Sequence, residues 1–172
     1  MGRSRSNRCS SRSAIYGSCL LPVVFAFFVS GAVADDYLYG SVAHTIDGDS
    51  LIVDVGGQQL EVRLWGIDSP EYDQPGAQLS AAALHRFTYG KPVRLHIKYQ
   101  DRYGRAVAEM KQAGSDINEQ MVIGGYSWVH PYFCREPVCF RWKQLEKEAQ
   151  RKRIGIWSYD DPIPPWQWKR RG

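Results

Sequence analysis

Histidine and cysteine, the residues of metal cages and thiol chemistry, are scarce in this 172-residue chain, with four of each. His44, His85, His96 and His130 are scattered and have no ligand spacing, so none is assigned a role. Cys9 and Cys19 fall within the first 34 residues, which leaves only Cys134 and Cys139 for the rest of the chain. No apolar run is long enough to cross a bilayer. The run "CLLPVVFAFFV", from Cys19 to Val29, falls short of the roughly 20 residues a spanning helix needs and contains Pro22. No internal repeat occurs, and no linker divides the part after residue 34.

Acidic residues are absent before Asp35, while Arg3, Arg5, Arg8 and Arg12 form a basic head. The apolar run follows, and "SGAVA" ends it with the A-x-A pattern of Ala32 and Ala34. These are the three parts of a secretory signal peptide, with cleavage expected before Asp35. Residues 35–172 are then read as a single domain, secreted or periplasmic, without stable membrane association and monomeric. In such an oxidising compartment Cys134 and Cys139 are expected to pair, a short loop that contributes roughly 2 kcal/mol in the chain-entropy model. A zinc site of this pair plus His130 is the rival reading, with a poor ligand count.

Removing the leader also removes the excess positive charge. The 22 basic residues drop to 18, equal to the 18 acidic ones. What remains is uneven. Asp35 to Asp73 carries nine acidic residues and only Arg63 as a base, whereas Gln74 to Gly172 carries nine acidic and 17 basic. An acidic third suited to a cation thus joins a basic remainder suited to a polyanion.

Strand patterns dominate the first half. "YGSVAHTI" leads into Asp47-Gly48-Asp49, then "SLIVDV", a Gly56-Gly57 turn and "QQLEVRLW". Two glycines between alternating runs predict a hairpin pairing Val55 with Gln58, which brings Asp49 close to Leu64 and beside Arg63. A helix is expected over Ala77–Tyr89, with Leu79, Ala83, Leu84 and Phe87 inward. "PVRLHIKY" and residues Arg105–Met110 read as further strands. Asp116 and Glu119 open a short second helix, and a third spans Arg141–Arg153 with Trp142, Leu145 and Ala149 inward. The Pro/Trp/basic tail, residues 158–172, has no periodicity. The fold class is α+β and β-rich: a five-stranded OB-type barrel with about three helices.

The stretch "EVRLWGIDSPE" runs a strand straight into Asp68, Ser69, Pro70 and Glu71. Pro70 ends the ladder and holds Ser69 extended. The hairpin gathers Asp47, Asp49, Arg63 and Asp68 at one end of the sheet. Phosphodiester hydrolysis calls for carboxylates to hold a hard cation, arginines to grip phosphate oxygens, and a carboxylate beside a water. Asp49, Asp68, Glu71, Arg63 and Arg105 supply that set.

Five segments in order carry a resemblance: "IDGDS" at 46–50, "VRLWGIDSPE" at 62–71, "DRYGR" at 101–105, "INEQMVIGGYSWV" at 117–129 and "LEKEAQRKRIGIW" at 145–157. Together they resemble the staphylococcal nuclease (thermonuclease) family across nearly all of residues 42–157. The resemblance implies a Ca²⁺-dependent endonuclease that cleaves DNA and RNA and leaves 3′-phosphate ends. It implies that Asp49, Asp68 and the Ser69 main-chain carbonyl hold calcium, with Ser69 in place of the usual threonine. Glu71 would be the general base or water-positioning group, and Arg63 and Arg105 would grip the scissile phosphate. Tyr103 would lie beside the phosphate or base pocket. Tyr132 is assigned to substrate binding, against a reading as a packed surface tyrosine. A non-catalytic OB-fold nucleic-acid-binding module is the alternative.

Other residues have two readings each. Asp47 either caps a turn or supports the metal. Trp166 and Trp168 either pack the tail onto the barrel or stack on bases. The segment between Glu71 and Arg105 is shorter than in the best-known member of the family, which implies a trimmed substrate loop. Mass spectrometry of the exported protein is expected to show a chain that starts at Asp35 and is two protons lighter than its free-thiol mass. An intact Met1 would overturn the export reading.

Overall fold

Gly56 and Gly57, with φ of 62° and 88°, make the two-residue turn that the sequence predicts, in the positive-φ geometry such hairpins require. The turn joins β2 (Ser50–Val55) to β3 (Gln58–Leu64) with Val55 opposite Gln58 and Ser50 opposite Arg63. The Leu64 amide donates to the Asp49 carbonyl at 2.7 Å, so the expected register holds to its end. This computed structural model describes residues 37–171. The leader, Ala32, Ala34 and the cleavage point before Asp35 lie outside the described residues.

The remaining strands complete a closed barrel. β1 (Tyr37–Thr45) pairs antiparallel with β2 and with β5 (Pro92–Gln100), and β5 pairs with β6 (Ala106–Gln112). A parallel pairing of β3 with β6 shuts the ring, with Val62 opposite Ala106 and Arg63 opposite Val107. This is the five-stranded barrel expected from the strand pattern. Val53, Val62, Leu51, Leu64, Leu95 and Met110 fill its interior. Two short pieces flank it: β4 (Ile67–Asp68) pairs with β8 (Trp128–Val129), and β7 (Ser115–Asp116) extends β6.

Helix α1 (Ala77–Thr88) buries Ser80, Ala83, Leu84 and Thr88. Leu79, expected to face inward, is exposed, because the buried stripe follows Ser80 instead. Helix α2 (Ile117–Ile123) is capped by the Asp116 side chain, which accepts the Glu119 amide at 3.0 Å. Glu119 does not complete a reciprocal cap; its carboxylate takes Arg141 at 2.7 Å. Helix α3 (Val138–Arg151) starts three residues earlier than expected, from Pro137, and buries Trp142 and Ala149. Cys139 in its first turn is bonded to Cys134, the disulfide expected from the compartment argument. After a 3₁₀ turn (Gly155–Ser158), the aperiodic tail forms a fourth short helix, α4 (Pro165–Trp168), with Pro165 in its first turn. Among the described residues no helix is long and apolar enough to cross a membrane.

Asn118 ties the barrel to the helices. Its Oδ1 accepts the Met110 amide at 2.9 Å, and its Nδ2 donates to the Trp65 carbonyl at 2.9 Å and the Ala108 carbonyl at 3.3 Å. The side chain is fully buried, so water cannot replace these bonds. Asn118→Ala is therefore expected to cost about 3 kcal/mol in denaturant unfolding, since it strands buried backbone groups. A loss below about 1 kcal/mol would show the bridge to be dispensable.

Candidate active site

The Asp47-Gly48-Asp49 turn brings β1 round into β2. Asp47 caps it, its Oδ1 accepting the amides of Asp49 at 2.9 Å and Ser50 at 2.7 Å. That is the turn-capping role of the two read for it. Gly48 is required by crowding: a Cβ there would lie 2.6 Å from the Cβ atoms of both Ser69 and Ser80. The close approach lets Asp49 reach the next loop, where its Oδ2 accepts the Ser69 amide at 2.7 Å.

Arg63, at the end of β3, lies between the two buried carboxylates. One guanidinium nitrogen is 2.6 Å from Asp49 Oδ1 and the other 2.5 Å from Asp68 Oδ1. Asp49 is 2% exposed and Asp68 4%, so neither charge is screened by water. Burial, and then the neighbouring Asp49, push the Asp68 carboxyl up to about 7 against the pull of Arg63 and Lys169. Asp47 is likewise raised to about 6, first by burial and then by Asp49. The Arg63 pKa is raised by the Asp49 charge against its own burial, so it remains a cation. One guanidinium thus faces three carboxylates.

The rest of the set converges on one cleft of about 870 Å³. Arg105 precedes β6 and is delivered beside β3 by the parallel closure of the barrel. Its Nε donates to Asp101 at 2.8 Å, and its guanidinium lies 5.5 Å from the Tyr103 ring centroid. Tyr103 is largely exposed at the rim. Glu71 follows Pro70 in a turn closed by Gln74, which accepts the Glu71 amide at 3.1 Å and donates its own amide to the Glu71 carbonyl at 2.9 Å. Asp49, Arg63, Asp68, Ser69, Glu71, Tyr103 and Arg105 all line this cleft. Tyr132 does not; its neighbour Phe133 does, and Tyr132 lies outside with its ring 6.1 Å from that of His130.

Gln74 and Lys169 escaped the sequence reading, which gave His130 no role and left Trp166 with two. Gln74 is buried beneath the Glu71 turn, and His130, Trp166 and Lys169 line the cleft. The His130 ring lies 4.4 Å from Phe133 and 5.0 Å from Trp166, and its Nδ1 accepts the amides of Tyr132 and Phe133. Only Gln74 had a legible signal, since a polar residue three positions after Glu71 in a Pro-containing loop suits a turn. Trp168 packs the tail, its Nε1 donating to Asp73 at 3.0 Å. Trp166 joins the packed cluster of Trp128, Ala149, Ile156 and Trp157.

Among the described residues no three His, Cys, Asp or Glu side chains converge as a ready metal cage. The protein offers instead two buried carboxylates, Asp49 and Asp68, beside Ser69 in one cleft. This all-oxygen set, with its excess of buried negative charge, fits a hard cation whose remaining positions are filled by water or substrate.

Two buried carboxylates and two arginines thus meet in one cleft of an OB-type barrel, and guanidinium groups of this kind can hold phosphate oxygens. A family model described as "Staphylococcal nuclease homologue" matches residues 61–159. An "Uncharacterized endonuclease" of Escherichia coli is 32% identical over 152 residues, covering 88% of this chain and 97% of that protein. A protein of the same description from Haemophilus influenzae is 34% identical over 153 residues, 88% of this chain and 84% of its own. A "Micrococcal nuclease" of Shigella flexneri is 34% identical over 140 residues, covering 76% and 80%. The chain belongs to the staphylococcal nuclease family.

His130 carries a measurable pH dependence. Burial, then the charges of Arg63 and Lys169, lower its pKa from 6.5 to about 4. A folded-state pKa below the unfolded one contributes stability that is complete above pH 6.5 and lost as the pH falls through 4. The raised Asp47 and Asp68 act in the opposite sense, in wild type and variant alike. Between these pH values urea midpoints of wild type are expected to fall more than those of His130→Gln. Parallel profiles would remove the imidazole from the pH dependence.

Proposed function

We propose that this chain is a secreted or periplasmic Ca²⁺-dependent endonuclease that hydrolyses phosphodiester bonds of DNA and RNA, leaving 3′-phosphate ends. The observation that carries the reading is the meeting, in one cleft, of Asp49, Asp68, Glu71, Arg63 and Arg105. The names of the relatives support the reaction class, and the leader pattern supports the compartment.

In this reading Asp49, Asp68 and the Ser69 carbonyl hold the calcium. When bound, the cation neutralises non-bridging phosphate oxygens and lowers the pKa of a coordinated water. Arg63 keeps N–H groups beyond the two engaged with Asp49 and Asp68, and these can donate to phosphate oxygens. Arg105, anchored by Asp101, adds a second guanidinium for the charge that builds in the transition state. Glu71 stands outside the Arg63 cluster at the cleft, half-buried, where it can orient a water or take its proton. Tyr103 is largely exposed at the rim, with the guanidinium groups of Arg102 and Arg105 over its ring. A binding module without catalysis would have no use for Glu71 in one cleft with both arginines and both carboxylates.

The test uses mature protein on single- and double-stranded DNA and on RNA, with calcium or with chelator. Cleavage is expected only with calcium, and magnesium, which holds its waters tightly, should substitute poorly. Glu71→Gln and Arg105→Ala are each expected to lower turnover by about two or more orders of magnitude while remaining folded. Binding without cleavage under all conditions would establish the non-catalytic reading instead.

A further inference from the structure

The family match stops at residue 159, yet the chain beyond it returns to the cleft. Four contacts bring it there. Gln74 Nε2 donates to the Ile163 carbonyl at 2.5 Å, and the Trp166 ring lies 5.0 Å from His130. Trp168 Nε1 donates to Asp73 at 3.0 Å, and Lys169 Nζ lies 2.8 Å from Glu71 Oε1. Helix α4 has only four residues and would not persist alone, so these anchors determine where Lys169 points. Three of the four are on the loop between β4 and α1, which follows Asp68 and carries Ser69 and Glu71.

Lys169 differs from the two arginines of the cleft. Arg63 and Arg105 are about one-fifth exposed and already engaged with aspartates, whereas the Lys169 side chain is 58% exposed and, among the described residues, pairs only with Glu71. An ion pair this open contributes little and exchanges readily for another anion. An ammonium is a compact charge with rotatable donors, suited to a backbone phosphate approached from any side. Arg170 and Arg171 follow it in the chain and add positive charge.

We propose that Lys169 is a substrate-binding residue that takes a backbone phosphate flanking the scissile one, and that its contact with Glu71 is its resting position. This rests on the reading that the cleft accepts nucleic acid. An arriving strand draws Lys169 onto its phosphate and frees the Glu71 carboxylate. A substrate with a single phosphodiester has no flanking phosphate and leaves Lys169 where it is.

The test compares wild type, Lys169→Met and Lys169→Arg in two assays. The first is binding of a fluorescent single-stranded oligonucleotide in chelator, measured by anisotropy between about 50 and 200 mM salt. Lys169→Met is expected to flatten the log–log salt slope by about 0.7, the share of one phosphate on a single strand, and Lys169→Arg to restore it. The second is cleavage with calcium of that oligonucleotide and of a dinucleoside monophosphate. Lys169→Met is expected to raise KM several-fold on the oligonucleotide and to leave the dinucleoside unaffected or faster. Unchanged slopes, equal losses on both substrates, or faster cleavage of the oligonucleotide would each overturn the proposal. A wild type that binds but never cleaves would refute the endonuclease reading, and the slopes would still decide the role of Lys169. A wild type that neither binds nor cleaves a strand would refute both.

Discussion

Arg63 between Asp49 and Asp68 is the interaction on which the site depends. Two carboxylates buried this deeply repel one another, and burial of either alone carries a large desolvation cost. A single guanidinium donating to both makes the arrangement tolerable. It also holds three separate pieces of chain in register: the start of β2, the end of β3, and β4. The residual frustration is visible in Asp68, whose carboxyl is raised by burial and by Asp49 despite the arginine. A fold that keeps such a cluster stores negative charge where a hard cation would relieve it.

The surroundings of this cluster are rigid for identifiable reasons. Asp49 accepts the Ser69 amide, Ser69 is followed by Pro70, and Gln74 closes the turn that carries Glu71. β4 is pinned to β8 by pairing of Ile67 with Val129 and Asp68 with Trp128. Beneath it, Gly66 leaves room for Cys134 and Trp142, so the disulfide packs directly under the site loops. Catalytic geometry is most reproducible when the groups sit on strand ends braced in this way. Lys169 and Trp166 are the exceptions, held by a strap of chain that has little structure of its own.

Much of the site was legible because its logic is local. The Gly56-Gly57 turn and strict alternation on either side give a register, and the register brings Asp49 to Arg63 without any knowledge of the tertiary fold. Motif order then links Asp68, Glu71 and Arg105 to the same chemistry. Burial within helices was harder to read: Leu79 is exposed and Ser80 buried, because the Ser80 hydroxyl has a partner in the Tyr126 carbonyl at 2.6 Å. Tyr132 and Phe133 are adjacent aromatics, and nothing in their composition says which one lines the cleft. His130, isolated in sequence, gains its place only from Phe133 and Trp166.

The pairing of Cys134 with Cys139 rested on the leader pattern and the roles of the carboxylates and arginines on the resemblance, whereas periodicity and turn chemistry determined the strand pattern and the hairpin register. The last two follow from short-range sterics and from spacing along one strand or one turn. Only the tertiary structure decided that β3 closes on β6 and that Arg63 bridges two aspartates. It also decided that the aperiodic tail returns to put Lys169 against Glu71. Such contacts join residues up to about a hundred positions apart through side-chain anchors such as Gln74 to Ile163 and Trp168 to Asp73. No repeating pattern announces an anchor of that kind, because its partner exists only once the barrel has closed.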